Sequence, residues 1–162
     1  MTYAEWYSRY LRLYKQNISE KTRESYTRLH ALAAPIIGNM ELTTIMPDDI
    51  QAVLVAVETL AGSRQAQLAY SLLHAAFRRA VRSKRLQDNP VEAIDKPAHV
   101  TQEGRAIEGD DWQRLAAVIS GDVAFALACF AGLRRGEVLG LRRGDIDLEA
   151  GLIRVERQRV RV

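Results

Sequence analysis

From Ser63 to Lys84 the sequence holds a helical period without a proline or glycine to break it. At about 100° per residue, Ala66, Ala69, Leu73, Ala76, Phe77 and Ala80 fall on one face. Arg64, Gln67, Ser71, His74, Arg78, Arg82 and Arg85 fall on another, within an arc of about 80°. The apolar stripe requires other helices to cover it. The polar stripe is left for solvent or for a partner, and its charge is one-sided. Between Ser63 and Leu86 there are six cations (Arg64, Arg78, Arg79, Arg82, Lys84 and Arg85) and no acid. Such a local patch binds polyanions even when the net charge of the chain, +3 here, is modest.

The other segments of the front half supply the covering helices. The spacing of Trp6, Tyr10 and Leu13 predicts a helix over about Tyr3 to Lys15. Ser19 caps a second helix, with Glu20 in its first turn. Tyr26, Leu29, Ala33 and Ile36 form its apolar stripe, and Pro35 with Gly38 brings it to an end. Pro47 suits the first turn of a third helix, which runs through Ile50, Val53, Leu54 and Val57 to Gly62. Met46 precedes that proline where Ser or Thr would cap better, so this start reads as weakly capped.

Asn89-Pro90 ends the fourth helix, and a stretch from about Ile94 to Arg105 with little apolar content reads as a linker. Beyond it, Asp110 or Asp111 caps a helix carrying Trp112, Leu115, Ala116 and Ile119, and a very apolar run follows from Val123 to Phe130. Leu152 to Val162 alternates apolar and charged residues as strands do, with a change of phase that places a turn or bulge around Arg157 to Arg159.

Composition narrows the class further. Apolar residues at 48% and charged residues at 27% indicate a globular chain. A single cysteine, Cys129, allows no internal disulfide and no cysteine metal cluster. His30, His74 and His99 are not spaced as a metal site. No signal-peptide pattern and no run of about 18 apolar residues is present, so the expected location is the cytoplasm.

The segment Ala131 to Asp147, AGLRRGEVLGLRRGDID, combines Gly132-Leu133-Arg134, an acid three positions on at Glu137, an apolar Val138 to Leu141 continuation and Asp145-Ile146-Asp147. It resembles the first signature box of the tyrosine recombinases, the phage-integrase family. The front half agrees in order: Ser19-x-x-Thr22-x-x-x-Tyr26, Ile37-Gly38, Leu42, Ile45, Pro47, Asp49-Ile50, then a helix closing at Asn89-Pro90. These resemble the family's core-binding domain.

The resemblance implies a mainly α chain: a SAM-like four-helix core-binding domain over 1–94, a linker over 95–105, and a truncated α+β catalytic domain over 106–162. In this family a tyrosine attacks a DNA phosphodiester while two arginines hold the non-bridging oxygens of the transition state. Guanidinium suits that role because it stays charged and offers paired donors. By motif position Arg134 corresponds to the first of those arginines, with Glu137 as its support one helical turn away. Taken without context, an Arg with a Glu three residues on is most often a solvated pair.

The family's catalytic lysine, His-x-x-Arg pair and tyrosine have no counterparts here, since no Lys, His or Tyr follows Arg134. The expectation is therefore DNA binding by this chain without strand transfer of its own. The implied partner is double-stranded DNA, with self-association in tetrameric synapses, no cofactor, no membrane and no small-molecule ligand. The DNA contacts expected on the fourth helix are Arg64, Gln67, Ser71, His74, Arg78, Arg82 and Arg85. Those expected on the second are Lys21, Thr22, Arg23 and Arg28. The competing readings are a small helical DNA-binding regulator without strand-transfer activity, and an interaction module pairing through an open strand edge.

Overall fold

Thr2 starts the first helix with a reciprocal cap. Its Oγ1 accepts from the Glu5 N–H at 3.3 Å, and the Glu5 carboxylate accepts from the Thr2 N–H at 2.9 Å. The computed structural model of the chain describes residues 1–99, 104, 106–119 and 121–159. These fall into two units, Met1–Thr101 and Gln102–Val162.

The first unit consists of α1 (Tyr3–Tyr14), α2 (Glu20–Ile37), α3 (Pro47–Ala61) and α4 (Ser63–Arg82), with 3-10 turns at Leu42–Thr44 and Pro90–Ala93. It has the four helices expected from the sequence. The apolar face of α4 is buried as its spacing requires, from Ala66 through Ala80, with Leu72 added. That of α1 is not as expected. Tyr3, Trp6, Tyr7 and Tyr10 enter the core at i, i+3, i+4 and i+7, whereas Leu13 stays exposed in the last turn. On α2 the fully buried positions are Leu29, Ala33 and Ile37, and Ile36 sits only partly in the core.

Two tyrosine and tryptophan tips are satisfied across the bundle. Trp6 Nε1 donates to the Ala76 carbonyl at 3.0 Å, and the Tyr7 hydroxyl donates to the Tyr26 carbonyl at 2.8 Å. The start of α3 has no side-chain cap from Met46, as its sequence suggests; Asp49 instead accepts the Met46 N–H at 2.8 Å. At Gly62 the backbone takes φ 88°, a region that L side chains avoid, and this allows α3 to turn directly into α4.

The second unit contains α5 (Asp110–Ile119), α6 (Val123–Phe130), α7 (Arg135–Gly140), a 3-10 turn at Arg143–Asp145, and a hairpin of β1 (Ile146–Asp147) and β2 (Leu152–Ile153). The two strands are antiparallel, with Ile146 opposite Ile153 and Asp147 opposite Leu152. Asp122 caps α6 by accepting from the N–H groups of Ala124 and Phe125. Asp147 closes the hairpin turn by accepting the Ala150 N–H at 2.9 Å.

The strand expected from Leu152 onward is short. After Ile153 the chain leaves the ladder and runs against α7, where the Arg159 N–H donates to the Gly136 carbonyl at 2.7 Å. Gly136 and Gly140, one turn apart on α7, make the approach possible. A Cβ on Gly140 would lie 2.8 Å from the Arg157 carbonyl oxygen. Val160 to Val162, the end of the predicted alternation, lie outside the described residues.

Candidate DNA interface and candidate catalytic arginine

The exposed face of α4 carries Arg64, Ser71, Arg78 and Arg82, with the Ser71 hydroxyl donating to the Gln67 carbonyl at 2.9 Å. Helical spacing alone produces this row, because its members recur at intervals of seven, seven and four. The remaining members of the predicted stripe are engaged. Gln67 Nε2 donates to the Pro97 carbonyl at 2.8 Å, and the Tyr70 hydroxyl donates to the Ile94 carbonyl at 3.2 Å. Ser63 Oγ lies 2.9 Å from His99 Nδ1. Residues 94–99 are thus laid along the N-terminal half of α4 by three side chains of that helix. His74 stacks on Tyr70 and has Glu92 3.5 Å from its Nε2, so an acid does reach this face from outside the helix. Arg85 is half-buried, with its guanidinium 5.7 Å over the Trp6 ring and Nη1 3.8 Å from the Met1 sulfur.

On α2, Lys21 and Arg28 are exposed and share a face, being seven residues apart. Thr22 and Arg23 lie elsewhere on the helix and are half-buried. Thr22 Oγ1 is 2.9 Å from Ser19 Oγ, and Arg23 Nε is 3.9 Å from the Glu20 carboxylate. The four candidates on this helix do not form one patch.

Sequence spacing on single helices could not disclose a second basic grouping. The C-terminal end of α1 and the second half of α4 border a cleft of about 410 Å³, lined in part by Tyr10, Tyr14 and Ala75. Lys15 enters it from α1 and Arg78, Arg79 and Arg82 from α4. The Arg79 guanidinium is stacked 3.8 Å from the Tyr14 ring centroid, and Lys15 Nζ lies over Tyr10 and Tyr26 at 5.7 and 5.9 Å. The Tyr14 phenol is held below its usual range by the Ser83 and Arg79 side chains.

In the second unit, Gly132 at φ 68° turns the chain out of α6, and Leu133 anchors it by burial. Arg134 then sits at the N-cap position of α7. Glu137 Oε2 accepts the Arg134 backbone N–H at 2.7 Å, and Oε1 accepts from Nη1 at 2.9 Å. The first bond places a carboxylate where α7 leaves its N–H groups unpaired; the second fixes one edge of the guanidinium. The rest of that side chain, 83% exposed, points away from the protein. Its Nε and Nη2 have no hydrogen-bond partner among the described residues. The Glu137 carboxyl is held below the usual range, first by the backbone bond and then by the guanidinium.

The Asp145-Ile146-Asp147 end of the motif is structural. Asp145 accepts the Arg142 N–H at 2.7 Å and pairs with Arg157 Nη1 at 2.8 Å, joining the 3-10 turn to the chain beyond the hairpin.

Residues 2–55 match the family model for the phage integrase N-terminal SAM-like domain. No curated protein sequence matches the chain. Among solved structures, the chain is similar to the Tn1549 transposon integrase in complex with transposon right end DNA (22% identity, TM-score 0.83, 98% of this chain and 53% of that one). It is also similar to a lambda integrase dimer bound to a COC′ core site (24% identity, TM-score 0.77, 91% and 56%). The phage integrase SAM-like domain from Moorella thermoacetica matches at 25% identity and TM-score 0.52, over 64% of this chain and 92% of that one. The chain spans about half the length of the lambda and Tn1549 integrases it matches.

The chain is mainly helical and shares its fold with the integrase structures it matches. Within the chain, residues 2–55 are of the phage integrase SAM-like type.

Proposed function

We propose that this chain is the DNA-binding region of a site-specific tyrosine recombinase and carries the first arginine of its active site. The observation that supports this most directly is the state of Arg134. Its guanidinium is held along one edge by Glu137 while its remaining donors face outward. A guanidinium oriented in advance meets the developing charge on a phosphorane without reorganising. The exposed row Arg64, Ser71, Arg78 and Arg82 on α4, with Lys21 and Arg28 on α2, supplies phosphate and base-edge contacts for duplex DNA. Within these 162 residues no Lys, His or Tyr follows Arg134 to serve beside it as nucleophile or proton-transfer group. By itself the chain binds and does not cleave.

The test has two parts. Binding of the chain to labelled duplex DNA should weaken steeply with salt, because phosphate contacts release counterions. Affinity independent of salt would remove the DNA reading. Arg134→Ala should leave duplex binding within about twofold, a change of under 0.5 kcal/mol, yet abolish strand cleavage by a complete recombinase that contains this chain. Normal cleavage by that variant would remove the catalytic assignment.

A further inference from the structure

We infer that the cleft between the end of α1 and the second half of α4 is a binding site for the phosphodiester backbone of duplex DNA. It extends the contact surface from α4 onto α1 and rests on the DNA-binding reading above.

Three observations carry the inference. The first is charge. Lys15, Arg78, Arg79 and Arg82 come from two helices to one cleft, and no carboxylate lines it. Among the described residues none of the four is in an ion pair. Glu92 lies 3.5 Å from Nε2 of His74, which lines the cleft, without itself lining it. Helix dipoles account for Arg79 and Arg82 in the last turn of α4. They do not account for Arg78 and Lys15 converging on the same space. Four unpaired cations around one opening repel each other, and an anion removes that cost.

The second observation is preorganisation. The Arg79 guanidinium sits over the Tyr14 ring, 3.8 Å from its centroid, and its buried Nε has no hydrogen-bond partner among the described residues. A stacked guanidinium has lost most of its rotamer freedom before any ligand arrives, so little more is lost on binding. The third is shape. The cleft is open to solvent rather than a closed cavity, and Tyr10 and Tyr14 are among the residues that line it. That form admits a sugar–phosphate strand whose sugars lie against the rings, with the phosphate oxygens toward the cations.

The experiment measures binding of the 162-residue chain to a fluorescein-labelled duplex by anisotropy across a salt series. Lys15→Gln and Arg79→Gln should each lower the magnitude of the log K against log salt slope by about 0.9, one phosphate contact. Arg79→Lys keeps the charge but not the flat fork, so it should retain the slope and lose affinity. It also guards against misfolding, since it preserves the packing better than Gln; circular dichroism checks all three. Arg12→Gln removes the same charge from an exposed position of α1 outside the cleft, and should leave the slope unchanged.

A Lys15→Gln slope equal to that of the unmodified chain would overturn the proposal. So would an Arg12→Gln change as large as that of Lys15→Gln, which would mean diffuse charge and no site. Inorganic phosphate forms a second arm: if it binds through Lys15 and Arg79 while their variants leave the DNA slope intact, the cleft serves a free anion and the proposal fails. If the unmodified chain shows no salt-dependent duplex binding, the DNA reading itself falls, and that result precedes any variant.

Discussion

Glu137 binds Arg134 twice, once through the backbone N–H at 2.7 Å and once through Nη1 at 2.9 Å. One carboxylate therefore both starts α7 and aims the side chain at its head. Both bonds favour the charged form, which lowers the carboxyl's pKa in the folded chain. With the folded value depressed, the stabilisation is present above the ordinary glutamate value of about 4.3 and is lost as pH falls through the folded one. NMR titration of the Glu137 carboxyl and of the Arg134 amide should give a common midpoint below that value. Glu137→Gln should abolish the Arg134 amide titration. A midpoint at or above the ordinary value would contradict the double contact.

Gly140 is needed for a close approach of backbone to backbone. A methyl there would stand 2.8 Å from the Arg157 carbonyl oxygen and 3.1 Å from Gln158 Cα. Gly140→Ala should destabilise the second unit by about 1–3 kcal/mol through overpacking. Gly144→Ala meets nothing within 4 Å and serves as the control. Hydrogen exchange resolved by peptide would show the loss of protection confined to α7, the hairpin and 154–159. Equal protection in both variants would rule out the packing described for Gly140.

Trp6 is fully buried and donates to the Ala76 carbonyl of α4. Trp6→Ala should cost the first unit about 3–5 kcal/mol, the range for emptying a large aromatic site. Trp6→Phe retains most of the packing but loses the donor, and should cost less than Trp6→Ala. Urea unfolding of the three chains would rank them. A Phe variant as damaged as the Ala variant would show that the hydrogen bond outweighs the ring.

His30 stacks on Tyr7 with ring centroids 4.2 Å apart, and its buried Nδ1 has no hydrogen-bond partner among the described residues. Burial lowers its pKa, so the unfolded chain binds the proton first as pH falls. Stability from this group is full above about 6.5 and declines as pH drops from there toward the folded value. The urea midpoint should fall in that window, and His30→Phe should flatten the fall. An unchanged pH profile in the variant would exclude His30 as its source.

Much of this architecture was legible in the amino-acid order because it depends on local rules. The α4 face, the cap at Ser19, the stop at Gly62 and the arginine–acid spacing of Arg134 and Glu137 all follow from helical period and backbone chemistry. Leu13 was misplaced because one apolar stripe offers more positions than a short helix can bury once Tyr3 and Tyr7 have entered the core. The strand expected from Leu152 stops after Ile153 for a different reason. Alternation says which residues can pair in a ladder, but Gly136 and Gly140 offer the chain a competing surface on α7.

The basic stripe shows the same division. Its row on α4 was determined by the sequence alone, since residues three and four apart on a helix must be neighbours. Tertiary structure decided which of its members are available: Gln67 is bound to Pro97 and His74 faces Glu92, while Arg78 and Arg82 remain open. It also brought Lys15 and Tyr14 to Arg79 from more than sixty positions away. No periodicity encodes that meeting, because it depends on how two helices pack. For Arg134 the sequence determined the residue and its family context. The fold determined that one edge rests on Glu137 and the rest of its donors stay outward, because the start of α7 and the guanidinium share a single carboxylate.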